Sequence, residues 1–443
     1  MSRLEELIQE LCPNGVEYKI IGDIFETITD YTAAGSFADI AKNVKYNKEK
    51  DFALLVRTMD LKSDFTKGDL VYINEHAFNY LWRVKLDCVS LVLPNIGNCG
   101  EIYYVEPSKL PYKNCALAPN SILLRKTKEN IRYLYHLMQS NIYLNQLKKI
   151  TSPTGQTKFN KTDLKKISIP VPPLEVQDEI VRILDNFTEL TAELTAELTA
   201  RKKQYEYYRD SLLSFENLKL KEITILDMLI APITDGPHET PVFVKSGIPF
   251  LSAESIVNNR FDFTKIRGYI SPEYDAICSK KYKPQKYDVY MCKSGSTTGK
   301  VAINDTDNNF NIWSPLAAMR VNENYSAKYL YYLLQTATVQ NQVKVHSSNG
   351  SQPNLSMRKL EQFKVKVPSL ETQKRIVDVL DNFEQICSDL NIGLPAEISA
   401  RQKQYEYYRD LLLTFPENGL GLSKQASKQA SKQASKQAIT MTK

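Results

Sequence analysis

The sequence predicts a mixed α/β (α+β) protein of two heads, each followed by a long helix, with the two halves related by an internal pseudo-two-fold repeat. Three observations lead there: two blocks of sequence occur twice, each block has the spacing of an amphipathic helix, and the segments between them share almost nothing. Residues 171–187 (VPPLEVQDEIVRILDNF) and 367–383 (VPSLETQKRIVDVLDNF) are identical at 11 of 17 positions, 196 residues apart. Residues 200–215 (ARKKQYEYYRDSLLSF) and 400–415 (ARQKQYEYYRDLLLTF) agree at 13 of 16, 200 apart. Upstream, RYLYHLMQ at 132–139 parallels KYLYYLLQ at 328–335.

The heads read as short strands at 18–21, 54–57, 89–93, 242–244 and 287–292, punctuated by Gly, Asn and Ser and closed by helices such as 131–139. Each duplicated block opens on Val-Pro, and apolar residues then recur three or four apart, as at Leu184, Phe187, Leu190, Leu194, Tyr205, Tyr208, Leu212 and Phe215. Leu380, Phe383, Tyr405 and Tyr408 are their counterparts in the second copy, and both sets are expected at helix-packing or partner surfaces. Continuous helix from 174 to 215 is a rod of about 60 Å. Within it Thr191-Ala-Glu-Leu194 repeats as Thr195-Ala-Glu-Leu198 and restarts at Thr199-Ala200, a helix-compatible spacer. Gly393 and Pro395 interrupt the second copy, so a break is expected there. The boundaries are a first head at 1–170, a stalk at 171–215, a second head at 216–366, a distal stalk at 367–416, and a tail at 417–443. The four SKQA units at 423–438 have no apolar face and read as disordered.

At 443 residues the chain is long for one core. A net charge of +6 suits a polyanionic partner without requiring one. Seven scattered cysteines (Cys12, Cys88, Cys99, Cys115, Cys278, Cys292 and Cys387) form no CxxC, which points to reduced thiols rather than a disulfide frame or zinc site. The acidic start MSRLEELIQELCPNG is unlike an export signal, and no apolar run of about 18 residues is present, so a cytoplasmic protein is expected.

No catalytic residue and no metal ligand is assigned. His76, His136, His238 and His346 lie far apart and read as ordinary packing or surface residues. Gly295-Ser-Thr-Thr-Gly299-Lys300-Val301 places three residues between its glycines where a P-loop needs four, and valine where it needs Ser or Thr. The segment reads instead as a hydroxyl-rich turn after a strand, either purely structural or with Ser294, Ser296, Thr297, Thr298 and Lys300 available to phosphates or base edges. Asn95 and Asn98, in the Asn95–Gly100 stretch, occupy the corresponding place in the first head. Basic clusters precede each stalk: Lys148, Lys149, Lys158, Lys161, Lys165 and Lys166 in one half, Lys344, Arg358, Lys359, Lys364 and Lys366 in the other. Interleaved Gln156 and Asn160, and Asn349, Gln352 and Asn354, add amides that pair with adenine to charges that neutralise phosphates. A solvated charged face is the competing reading.

Two divergent heads, each closed by P(P/S)LExQxxIVxxLDNF and ARxKQYEYYRDxLL(S/T)F, resemble the specificity subunits of type I restriction–modification enzymes, the type IC class in particular. The resemblance covers residues 1 to about 420. It implies two target-recognition domains, each reading half of a split double-stranded DNA site, joined by two long helices packed antiparallel. It also implies two methyltransferase subunits and two motor-nuclease subunits as partners, which supply S-adenosylmethionine, ATP and magnesium chemistry while this chain holds no cofactor. The host would be bacterial or archaeal and the complex nucleoid-associated on DNA. The alternative from a different class is a coiled-coil adaptor that bridges two partners without reading DNA.

Overall fold

The computed structural model describes residues 3–152, 157–215, 220–348, 352–388 and 393–416. The chain forms two compact units: residues up to 192 together with those from 400 onward, and residues 193–399. No helix among the described residues is long and apolar enough to cross a membrane.

Unit 1 carries β1 (Glu17–Ile20), β2 (Phe25–Asp30), β3 (Ala53–Val56), β4 (Tyr72–Ile73), β5 (Ser90–Pro94), β6 (Tyr103–Val105), β7 (Cys115–Leu117), β8 (Ser121–Thr127) and β9 (Ser168–Val171). An antiparallel sheet runs β2-β8-β5-β6, a smaller one runs β4-β3-β7 with β3 parallel to β7, and β1 pairs with β9. Unit 2 carries β10 (Glu222–Thr224), β11 (Thr234–Asp235), β12 (Ile248–Leu251), β13 (Ile256–Val257), β14 (Arg260–Phe261), β15 (Gly268–Ile270), β16 (Val289–Cys292), β17 (Val301–Ile303), β18 (Asn311–Ile312), β19 (Leu316–Met319) and β20 (Lys364–Lys366). Its orders β11-β19-β16-β17, β15-β12-β18 and β10-β20 repeat unit 1 strand for strand, with the β13–β14 hairpin added.

The central strands are apolar on both sides because two cores flank them. In β5 and β8, Leu91, Leu93, Ile122 and Leu124 enter the core shared with the helices, while Val92 and Leu123 enter the other. In β16, Val289 and Met291 face one core and Tyr290 and Cys292 the other. This is the alternation a pleated strand imposes.

The central helix, Leu174–Ser214, is unbroken over 41 residues. Its threonines direct their hydroxyls to carbonyls one turn back, Thr191 to Phe187 at 2.8 Å and Thr199 to Thr195 at 2.9 Å, which leaves the repeat helical. Phe215 adopts φ +43°, a left-handed conformation that ends it. The part up to residue 192 belongs to unit 1 and meets the end of the Leu394–Leu412 helix, where Phe187 stacks on Tyr408 at 5.4 Å. That helix runs antiparallel to the central one, since Phe415 beyond it returns its carbonyl to Tyr18 Oη (2.7 Å) in β1, the partner of β9 just before Leu174. In unit 2 the remainder of the central helix meets the Leu370–Ser388 helix, with Tyr208 5.8 Å from Phe383.

Three expectations are corrected or refined. Residues 242–244 form no strand: Val244 makes one bridge to Tyr269, Val242 is exposed, and the strand comes later at β12, after a turn through Lys245-Ser246-Gly247. The expected break falls between helices ending at Ser388 and starting at Leu394, and a Cβ on Gly393 would stand 2.6 Å from the Ile386 carbonyl oxygen. The SKQA tail lies outside the described residues.

Candidate nucleic-acid interface

In unit 2 the turn after β16 and the segment before the Met357–Glu361 helix come together. Ser294 bridges Asn354, Gly295 N donates to Pro353 O at 2.9 Å, and Leu355 N donates to Lys293 O at 2.7 Å. Thr298 Oγ1 donates to Gly295 O (2.7 Å) and Pro353 O (3.2 Å), so this hydroxyl serves the turn itself. Gly295 and Gly299 sit at φ +90° and +95°, where a side chain would be strained. Unit 1 repeats the arrangement: Ile96 bridges Lys158, Gly97 N donates to Thr157 O at 2.8 Å, and Phe159 N donates to Asn95 O at 3.1 Å. The two turns matched from sequence therefore hold the same place, each tied to the basic segment of its own unit.

Behind each turn lies an aspartate at a strand end. Asp235, opposite Ala317, is buried beside Lys281, Lys293 Nζ (3.3 Å) and His238 Nε2 (3.3 Å). Asp30, opposite Ile122, meets Lys161 Nζ at 2.9 Å and caps the Tyr31–Ala34 turn through Ala33 N. His238 and Lys293, the partners of Asp235, line a cleft of about 900 Å³ together with Glu254, Arg267, Trp313, Ser296, Gln352 and Asn354. Sequence reasoning missed Asp235, Lys293, Arg267, Trp313 and Glu254. One signal was available: Ile-Thr-Asp occurs at 28–30 and again at 233–235, each time ending on this aspartate.

The predicted contact residues divide by their present partners. Lys148, Lys149, Lys158, Asn98, Ser296, Lys300, Lys344, Gln352, Asn354, Arg358 and Lys359 are exposed. Asn160 spends its amide on capping, accepting from Asp163 N and donating to Asp163 Oδ2, both at 2.8 Å. Thr297 Oγ1 lies 3.2 Å from Cys292 Sγ, Ser294 is half-buried, and Asn95 Oδ1 is buried with no hydrogen-bond partner among the described residues. Gln156 and Asn349 lie outside the described residues.

Each unit also grips its helices through a buried polar joint. In unit 1, His136 is fully buried, with Nε2 2.8 Å from Asp185 Oδ1 and Nδ1 2.8 Å from Tyr405 Oη. A carboxylate only accepts, so Nε2 carries a proton; in the neutral ring that burial favours, Nδ1 accepts from the tyrosine hydroxyl. Burial holds His136 below its ordinary value despite Asp185. Burial raises Asp185, but hydrogen bonds from His136 and Arg132 outweigh it and keep the carboxyl below the usual range. Burial pushes Tyr405 up to about 12. In unit 2 the equivalent residue is Tyr332, whose hydroxyl donates to Asp381 Oδ1 (2.6 Å) and approaches Glu384 Oε2 (3.1 Å), with Lys328 also on Asp381. Leu184 and Leu380 are core residues, Tyr205 packs against the unit 2 core, and Leu190 and Leu194 are half-buried. Tyr207 and Tyr407 stay exposed at equivalent positions.

Two units of equal strand order, each with a turn tied to its own basic segment and each packed on a duplicated helix, define a two-headed protein built by internal duplication. The chain belongs to the type I restriction modification DNA specificity domain family, whose sequence model matches residues 13–201 and again 215–400. It is 37% identical over 263 residues to the specificity subunit of the Escherichia coli type I restriction enzyme EcoR124I/EcoR124II, a match spanning 57% of this chain and 64% of that one. A Haemophilus influenzae protein named as a type I restriction enzyme specificity subunit is 35% identical over 302 residues, 66% of this chain and 74% of its own length. A chain from the solved structure of a type I R-M system shares the fold at TM-score 0.57 and 16% identity, covering 90% of this chain and 98% of that one.

Proposed function

We propose that each unit reads one half of a split double-stranded DNA site through its turn and basic segment, and that the chain directs adenine methylation and ATP-dependent restriction by partner subunits. The carrying observation is that strand order and turn geometry match between the units while the side chains at the matched turn positions differ, Ser294 and Asn354 in one and Ile96 and Lys158 in the other, as expected of one scaffold reading two unlike sequences. The exposed lysines around each turn supply charge toward phosphates. The partners are two methyltransferase and two motor-nuclease subunits, which bind S-adenosylmethionine, ATP and magnesium. Consistent with this division, the Gly295–Val301 segment leads into β17 rather than the helix a phosphate-binding loop requires. The setting is the cytoplasm of a prokaryote, at the nucleoid. A bridging adaptor leaves the matched turns with unlike side chains without a role.

Single-molecule sequencing of methylated adenines, in cells expressing the chain with its methyltransferase partner, tests the reading. The expected result is one bipartite motif, and purified chain alone is expected to transfer no labelled methyl group. Methylation without a bipartite motif, or turnover by the chain alone, removes the proposal.

A further inference from the structure

We infer that Arg267 reads a guanine in the half-site of unit 2, a proposal that rests on the DNA-reading function above. Each unit has an arginine beside its three-stranded sheet, Arg57 after β3 and Arg267 before β15, and the two are in opposite states. In unit 1, Arg57 is closed: Nε and Nη2 grip the buried Asp60 at 2.9 and 2.7 Å, and Nη2 also donates to Asp69 O at 2.7 Å. In unit 2, Arg267 is open. One N–H donates to Glu254 Oε1 at 3.1 Å, and the described residues supply no hydrogen-bond acceptor to the other four. Its guanidinium lies 4.6 Å from the ring centre of Trp313, and its side chain keeps 41% of its surface exposed, lining the cleft.

Stacking on the indole fixes the plane of the fork, and Glu254 fixes its rotation within that plane. The carboxylate also offsets the positive charge, which weakens undirected attraction to the phosphate backbone. What remains is a directional set of coplanar donors, and in the major groove such a fork matches O6 and N7 of guanine. Unit 1 has no equivalent. Leu70 stands where Arg267 does, two residues before the tyrosine (Tyr72 or Tyr269) that pairs with β3 or β12, and Ala118 closes the parallel strand pair (N to Val56 O, 2.8 Å) as Trp313 does (N to Leu251 O, 2.9 Å). The proposed guanine contact therefore belongs to one half-site only.

The test uses the chain assembled with its methyltransferase partner on its mapped site, with each guanine of the unit 2 half-site replaced in turn by 7-deazaguanine, which lacks N7. One substitution is expected to raise Kd about 10-fold, and the R267K complex, which keeps the charge but loses the fork, is expected not to feel it. In cells, R267A is expected to relax methylation at that base pair while the first half-site stays stringent, which also reports that the variant is folded. A flat scan, or a sensitive guanine that remains sensitive in R267K, overturns the assignment; a phosphate contact would give the flat scan. Absence of any bipartite methylated motif in the wild type would instead mark failure of the functional reading, before the scan begins.

Discussion

The joint of unit 1 and the joint of unit 2 stand on related sequence and reach different chemistry through three exchanges, Arg132 for Lys328, His136 for Tyr332 and Thr188 for Glu384. At the shared position unit 1 has His136 between one carboxylate and a tyrosine, with Arg132 and Arg409 nearby, whereas unit 2 has Tyr332 between two carboxylates with Lys328. The scaffold thus tolerates exchange of the central side chain while the aspartate on the helix (Asp185, Asp381) stays fixed, whereas the matched turns keep their backbone bonds and change the side chains they carry, Ile96 and Lys158 against Ser294 and Asn354. Duplication has preserved how a head is held and released what it reads.

The broadest way to break this comparison is to exchange residues 18–150 for those of another family member. One half-site of the methylated motif is expected to be replaced outright and the other left intact; simultaneous change in both would show that the units do not read independently. Changing the spacer is expected to leave both halves alone. Inserting one Thr-Ala-Glu-Leu unit lengthens the central helix by about 6 Å and rotates the downstream end of the rod by about 40°, close to the 34–36° turn of one base pair. Methylome maps should show a gap longer by one base pair, and an unchanged gap in active insertion and deletion variants would end the idea of a ruler.

The joints are distinguished by stability. His136→Ala strands the Tyr405 hydroxyl and Asp185, and should cost unit 1 about 2–3 kcal/mol in denaturant titration. Tyr332→Phe keeps the ring and should cost unit 2 only about 1 kcal/mol. Acid sharpens the contrast. Because burial lowers the folded pKa of His136 below its ordinary value of 6.5, the unfolded chain takes the proton first. The contribution of this joint is fully present above that value and is lost as pH falls below it. Tyr332 is pushed upward by burial and does not titrate in that range. Thermal scans from pH 7.5 to 5.5 should lower a unit 1 transition in wild type, and His136→Tyr should abolish the histidine's share of that drop.

The smallest effect concerns single lysines. Exposed Lys158 should contribute about one unit to the slope of log affinity against log salt, and Lys158→Gln should remove it. Lys161 is held by Asp30, and its replacement should change the slope less. Equal changes for both would mean that DNA draws Lys161 away from Asp30.

The sequence made the helices legible because a repeat with helical spacing is a strong signal: the central helix begins at Leu174 as expected and ends one residue short of Phe215. The matched turns were legible too, as glycine-bearing segments after apolar strands. The common strand order was not, since β3 (ALLV) and β12 (IPFL) are equivalent only through their pairing with β7 and β18. Lys293, Arg267 and Trp313 were missed for a related reason: they come from separate strand ends and meet only across the sheets. Asn160 carried the opposite lesson, because an amide suited to adenine is equally suited to capping a helix.

Unit 1 is discontinuous, and that orders its synthesis. Residues 193–399 intervene between its head and the helix bearing Tyr405. At a translation rate of about 5–20 residues per second, roughly 10–40 s pass before that helix exists. During that interval the side of Leu184 and His136 that awaits Tyr405, Leu413 and Phe415 remains open to water, while unit 2, continuous in the chain, has already received all its parts. The half made first is therefore the half completed last, and the nascent protein presents its apolar seam to chaperones and to neighbouring chains until its final helix returns.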